Sequence, residues 1–278
     1  MFEADTQMAK LEVKQLSWSV PRVPLRVLSG LLLPLLLLAA WTLASARGWV
    51  PPQILPPPSR VAVTLVERLS SGELLTNLGI SLLRVFVGFA VGGVLGVVLG
   101  VAMGLSRTVE EYLYPSFKAV SQVPVLAFLP LAMLLLGIGE PLKFAIIAQA
   151  SVLPVALNVV TGIRAVPPAY IEVARAFEFS RAQLLRRVIL PACVPALFVG
   201  LRSALTQAWL SLVTVELLAS SEGLGFMIVW GRQLFQLDLV LCAIVMVGLV
   251  GLALDKGLEL LEARLLVWRP AASYGGRS

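Results

Sequence analysis

Histidine is absent from this sequence, and cysteine occurs only as Cys193 and Cys242. Without histidine neither a His-containing triad nor a His-ligated metal site can be built, and two cysteines so far apart make no zinc site. Both cysteines fall in stretches read as spanning or near-spanning helices, where they serve as small apolar side chains rather than as a disulfide. No lysine is followed by Ser or Thr. The phosphate-binding loop that ends in Gly-Lys-Ser/Thr is therefore missing, and the usual route to ATP hydrolysis is closed to this chain. Charge is also scarce: 14% of residues are charged, against about 25% in soluble domains.

What is present is apolar. Hydrophobic residues make up 58% of the 278, and the mean hydropathy is +0.91, which is the composition of an all-α integral membrane protein. The first 26 residues carry mixed charges and no short apolar core before a small-residue cleavage site, so they read as a retained tail, not a secretory signal. Between Arg26 and Arg47 lie 20 uncharged residues, enough to cross about 30 Å of hydrocarbon at about 1.5 Å per residue. Pro51-Pro52 and Pro56-Pro57-Pro58 form a stiff connector. Ser59 then caps a short helix with Val61, Leu65, Val66 and Leu69 on one side, stopped by Gly72; it lies along the outer surface or packs as an ordinary loop.

A second span is expected over Val85–Ser106, with Gly88, Gly92, Gly96, Gly100 and Gly104 on one face. Glycine at every fourth position lets a neighbouring helix approach closely enough for dispersion to hold the pair. Arg84, at the outer end of this span, is expected to snorkel to the interface. The third span lies between Lys118 and Glu140 and is bent or broken by Pro124 and Pro130. The fourth lies between Lys143 and Arg164 and holds Gln149, Pro154 and Asn158; the two amides point to opposite sides unless Pro154 bends the helix.

The fifth span, from about Ala192, has only 13 uncharged residues between Arg202 and Glu216, so one of those charges sits near the boundary or is shielded by protein. Ser203, Gln207, Ser211 and Thr214 mark a polar face that either joins helices or lines a wet path. Glu216 falls off that face, and its simplest place is the outer boundary. Leu239–Leu254 begins the sixth span. With both ends inside, 15 basic residues face the cytoplasm and five face out, an excess that supports this orientation and explains the net +6 without nucleic acid.

One charged segment interrupts the second half. Pro167-Pro168 blocks a helix arriving from upstream, and Pro191 and Pro195 mark the start of the next. Apolar residues at helical spacing between them predict two short amphipathic helices, placed in the cytoplasm by Arg164, Arg175, Arg181, Arg186 and Arg187. Glu172, Ala174, Ser180 and Ile189-Leu190-Pro191 resemble the Glu-Ala-Ala loop of ATP-binding-cassette importer permeases, with Val173 for the first alanine and Glu178 for the glycine. Glu216-Leu217-Leu218-Ala219-Ser220-Ser221, Gly223-Leu224-Gly225 and Arg232 to Asp238 are similar to the branch that imports sulfonates, taurine and nitrate, the aliphatic sulfonate permeases above all.

The resemblance covers the chain from about Trp41 onward. It implies a type I importer transmembrane domain of six helices with cytoplasmic termini, in a bacterial inner membrane. The expected layout is a tail over 1–26, a first helix over 27–46, a periplasmic connector over 47–74, a permease core over 75–262 with its coupling loop at 164–191, and a tail over 263–278. It further implies a pair of permeases, an ATP-binding subunit on Glu172, Ala174, Arg175, Phe177, Glu178 and Ser180, and an external solute-binding protein. Ser203, Gln207, Ser211, Thr214, Gln149 and Asn158 are the candidate path residues; no cofactor or metal is called for. A self-sufficient secondary transporter or channel is the alternative, with Glu216 alone in its support; a structural or signalling subunit would leave the loop unexplained. Because a glutamate in the left-handed region costs about 1–2 kcal/mol, Glu178 is expected to keep a negative φ, with its carboxylate in water or paired to Arg175, Arg181 or a partner.

Overall fold

The computed structural model describes residues 23–266, with side chains from residue 32 onward. The expected tails lie largely outside this range. The chain divides into a unit ending at Pro58 and a unit beginning at Ser59. The first holds α1, Val23–Ala46, an apolar helix with Pro34 inside it, at the position expected for the first span. After it the chain turns through Gly48, and the Trp41 indole N–H donates to the Pro56 carbonyl at 3.0 Å, which folds the proline-rich connector back on the helix end.

In the second unit the elements run α2 Pro58–Ser70, α3 Glu73–Leu105, α4 Arg107–Val120, a 3-10 turn Val125–Phe128, α5 Leu129–Leu136, α6 Glu140–Arg164, α7 Pro168–Ala176, α8 Arg181–Leu184, a π turn Leu185–Ile189, α9 Leu190–Ala219, α10 Leu224–Gln233 and α11 Leu237–Leu265. Among the described residues, four stretches are long and apolar enough to cross a membrane: α3, α6, the run Arg181–Gln233, and α11. A fifth is the pair α4 with Val125–Leu136, bent by 91°. Here the break predicted from Pro124 is present. Pro130 does not kink anything, because it sits in the first turn of α5, where its missing N–H is an orphan anyway.

The core is built on the glycine face of α3. A Cβ on Gly88 would lie 2.6 Å from the Ile147 side chain, on Gly96 2.8 Å from the Val152 carbonyl, and on Gly100 2.7 Å from the Ala156 carbonyl. The paired numbers rise together, so α3 and α6 run parallel, in contact from Gly88 to Gly104. α9 returns antiparallel on α6, with Gly200 against Asn158 and Gly162 against Cys193 and Ala196. Val155, Val159, Ile163, Cys193 and Ala204 form the centre of that contact. α11 packs antiparallel on α9, where the Trp209 Nε1–H donates to the Val247 carbonyl at 3.2 Å. Both cysteines are free and buried, as their apolar reading requires.

Several expectations are corrected. The second span does not start at Val85: α3 begins twelve residues earlier at Glu73, which moves Arg84 from the helix end to its interior. Ser59 lies inside α2, not at its cap, and the buried face of α2 is Val61 and Thr64, while Val66 and Leu69 are exposed. α4 begins at Arg107, and its apolar side, Val109, Leu113, Tyr114 and Phe117, packs on Met103, Ala156 and Val160. The second loop helix is not separate, because α8, the π turn and α9 form one continuous right-handed run. Pro191 cannot donate, and its ring would press on the carbonyl four residues earlier; widening the preceding turn to π spacing accommodates it, with the Leu190 N–H bonded to Leu185 O.

Candidate functional site

α7 projects from the end of α6 because Pro167, with φ −58° and ψ 132°, turns the chain out of the helix and Pro168 restarts it at N1. Arg164, the last residue of α6, pairs with Glu110 of α4 and lies 5.4 Å from the Tyr114 ring centroid, so the base of the loop is fixed to the bundle. On α7, Glu172, Arg175 and Phe177 are exposed, while Ala174 is buried. The alanine belongs under the loop: it lines a groove of about 1040 Å³ between α7 and the start of α9, together with Tyr170, Val188 and Pro195.

Glu178 does not keep a negative φ. It stands at +57°, one residue beyond the Phe177 C-cap, with its N–H donating to Arg175 O at 2.9 Å and the Phe179 N–H donating to Ala174 O at 3.0 Å. These are the two bonds of a Schellman motif, which satisfy carbonyls the helix end would leave free. At about 0.5–1.5 kcal/mol each, they offset a left-handed penalty of about 1–2 kcal/mol, so the turn survives without its glycine. The Glu178 side chain is exposed and pairs with neither Arg175 nor Arg181. Ser180 is the next helix's N-cap: its Oγ accepts from the Gln183 N–H and the Gln183 side chain accepts from the Ser180 N–H, a capping box that sets the direction of the return strand of the loop.

The polar face of α9 is only partly what its spacing implied. Ser203 and Gln207 are exposed and Thr214 is half-buried, but Ser211 is buried. At about 3.6 residues per turn, each four-residue step drifts by about 40°, which carries Ser211 into the packed side; the three-residue step returns Thr214. Asn158 donates to the Pro154 carbonyl at 2.8 Å and packs on Gly200, an interhelical contact. Gln149, half-buried, is not brought together with it.

The largest polar feature lies at the opposite end of α6 from the loop. Arg84 is 2% exposed, not snorkelling. Its Nε and Nη2 grip Glu140 at 2.9 and 2.5 Å, and its Nη1 donates to Glu216 Oε1 at 2.9 Å and to the Glu222 carbonyl at 3.0 Å. Lys143 Nζ adds a bond to Glu140 at 2.7 Å. Glu216 is 1% exposed and also accepts from Ser81 Oγ at 2.8 Å and from the Gly225 N–H at 2.9 Å. Sequence reasoning treated these charges singly; the signal was that Arg84, Glu140, Lys143 and Glu216 fall at the same end of three expected spans with balanced signs. Nearer the loop end, Arg202 is held by Asp255 at 2.7 and 2.9 Å and by Glu259 at 3.3 Å, tying α9 to α11. Among the described residues no cluster of His, Cys, Asp or Glu could hold a metal ion.

A helical bundle with a short exposed helix between Arg164 and Leu190 is matched by known proteins. The sequence model described as "Binding-protein-dependent transport system inner membrane component" matches residues 92–267. The chain belongs to this family. Within it, the chain is 40% identical over 249 residues, 90% of each protein, to a Bacillus subtilis protein named as an aliphatic sulfonates transport permease. It is 35% identical over 264 residues to the taurine transport system permease protein of Escherichia coli, covering 93% of this chain and 96% of that one. In fold it is similar to the crystal structure of an amino acid ABC transporter with histidines, at a TM-score of 0.58 and 20% identity, over 73% of this chain and 97% of the other. This member of the binding-protein-dependent family is thus a multi-pass membrane permease subunit, a transport component.

Proposed function

We propose that this permease is the membrane subunit of an ATP-driven importer for a small anionic solute of the aliphatic sulfonate, taurine or nitrate type, working in the bacterial inner membrane. Two copies pair, bind two ATP-binding subunits from the cytoplasm and receive solute from a periplasmic binding protein. With α1 counted as a span and the bent pair as another, six spans put both termini inside, in agreement with the charge excess on that side. Residues 75–262 form the permease core, the connector 47–74 lies outside, and the loop 164–191 is the coupling element.

The observation that carries this reading is α7 and its C-terminal turn: a short helix joined to the bundle at Arg164 and closed by the turn at Glu178, with Glu172, Arg175, Phe177 and Glu178 exposed, in a chain with no phosphate loop of its own. ATP-driven closure of the ATPase pair would draw the two α7 helices together and reorient the spans. Ser203, Gln207 and Thr214 then line the path between copies. Ser211, Asn158 and Gln149 contribute packing and polarity behind it. The secondary-transporter alternative rested on Glu216, and that carboxylate is fully engaged by Arg84, Ser81 and Gly225.

The test is Glu172→Arg in the assembled complex reconstituted in vesicles. Uptake is expected to fall at least tenfold while ATP hydrolysis and membrane insertion persist; unchanged uptake refutes α7 as the docking element.

A further inference from the structure

α10 has 10 residues, about 15 Å of helix, half of a hydrocarbon core of about 30 Å. It has no local side-chain cap, yet the N–H groups of Gly223, Leu224 and Gly225 are taken. Gly223 donates to Asn77 Oδ1 at 2.7 Å, Leu224 to Ser81 Oγ at 3.0 Å, and Gly225 to Glu216 Oε2 at 2.9 Å. The acceptors come from α3 and α9, so the start of α10 sits in a socket built by two other helices. A negative carboxylate at the positive end of a helix dipole is favourable, and the buried Arg84 guanidinium compensates that buried carboxylate. Gly223, at φ +105°, and Gly225 have no room for a Cβ against Glu216: the distances would be 2.6 Å to Oε2 and 2.6 Å to Cβ.

The far end of α10 is held as well. Asp238, at the start of α11, accepts from Thr64 Oγ1 at 2.8 Å and from Arg60 at 3.4 Å. Between these anchors the less packed face of α10 presents Phe226 stacked on Trp230, with ring centroids 5.8 Å apart.

We propose that Glu216, held by Arg84, is a positioning residue for transport: it fixes α10 so that its Phe226–Trp230 face walls the path at the end opposite the coupling loop. This rests on the transport reading above. The test uses the assembled complex in vesicles, with amide hydrogen exchange and stimulation of ATP hydrolysis by the solute-binding protein as readouts. In Glu216→Gln, exchange at Leu224 and Gly225 is expected to accelerate at least tenfold while amides of α6 stay protected, and stimulation is expected to drop at least fivefold. Unchanged exchange at both amides overturns the proposal.

Because Glu216→Gln leaves Arg84 without its buried counter-charge, the double variant Arg84→Met with Glu216→Gln separates stability from positioning. A double variant that regains wild-type melting yet keeps fast exchange and poor stimulation supports the proposal; one that regains stimulation together with melting reduces Glu216 to a structural ion pair and overturns it. If the double variant does not accumulate, Ser81→Ala decides, since it removes the Leu224 acceptor and one donor to Glu216 while leaving both charged residues in place: faster exchange at Leu224 with weaker stimulation supports, and no change in either overturns. Failure of Glu172→Arg to uncouple would sink the docking reading and leave the exchange results standing.

Discussion

Among the described residues, two that are not glycine have left-handed backbones, Glu178 at φ +57° and Phe235 at +56°. They solve the same problem at opposite ends of the bundle. Phe235 donates to Arg232 O and Gln236 to Gly231 O, the pair of bonds that Glu178 and Phe179 make after α7. In both cases free carbonyls of a short helix decide the backbone, and the side chain follows. Replacing Glu178 by glycine is therefore expected to stabilise the protein by about 1 kcal/mol, visible as a raised Tm in detergent, whereas Glu178→Val should lower it; a fall for the glycine variant would contradict the account. Residue types and spacing located this turn but misjudged its geometry, because the hydrogen bonds that outweigh the strain are made by backbone groups identical at every position.

At the scale of elements, the glycine repeat was legible as a packing face and the proline break after Val120 was legible as a bend. The partner helix and its parallel direction were not, since every glycine looks alike until the ridge facing it is known. That ridge makes a sharp distinction among neighbours. A Cβ on Gly96 meets Val152 and Val155, but one on Gly93 finds only Leu201 at 3.9 Å. Gly96→Val is thus expected to destabilise by about 1–3 kcal/mol or more, read as lost accumulation in the membrane or a lowered Tm, while Gly93→Ala should behave as wild type. Charges were the least legible element-level feature. Scanning for uncharged runs ends a span wherever a charge appears, so it truncated α3 at Arg84 and sent to the interface a guanidinium that is buried between two carboxylates.

For the whole molecule, orientation is open to direct chemistry. The two native cysteines are buried, so the unmodified protein should be nearly silent to an impermeant thiol reagent. Cysteines at Gln53 and Arg232 are expected to react from outside, and cysteines at Tyr112 and Arg181 only after the membrane is opened; labelling in the reverse pattern would invert the topology. Basic residues are what support the proposed orientation, because their count differs threefold between the expected sides, and the number of spans is the less legible feature. The 91° bend joins α4, an amphipathic helix lying upstream of the expected third span, to the short apolar segment Val125–Leu136, and neither is long enough to cross by itself.

The contact between α3 and α6 is a rack with evenly spaced notches. Gly88, Gly92, Gly96, Gly100 and Gly104 receive Ile147, Ser151, Val155, Val159 and Ile163 in turn, both series advancing by four. Such a rack nearly fits itself after a slide of one notch, about 6 Å at 1.5 Å per residue, so apolar packing alone chooses weakly between registers. The Arg84–Glu140 fork at one end acts as the pawl: a guanidinium bound through two parallel bonds tolerates no such slide. Removing it would leave two helices still in contact but free to settle a notch apart.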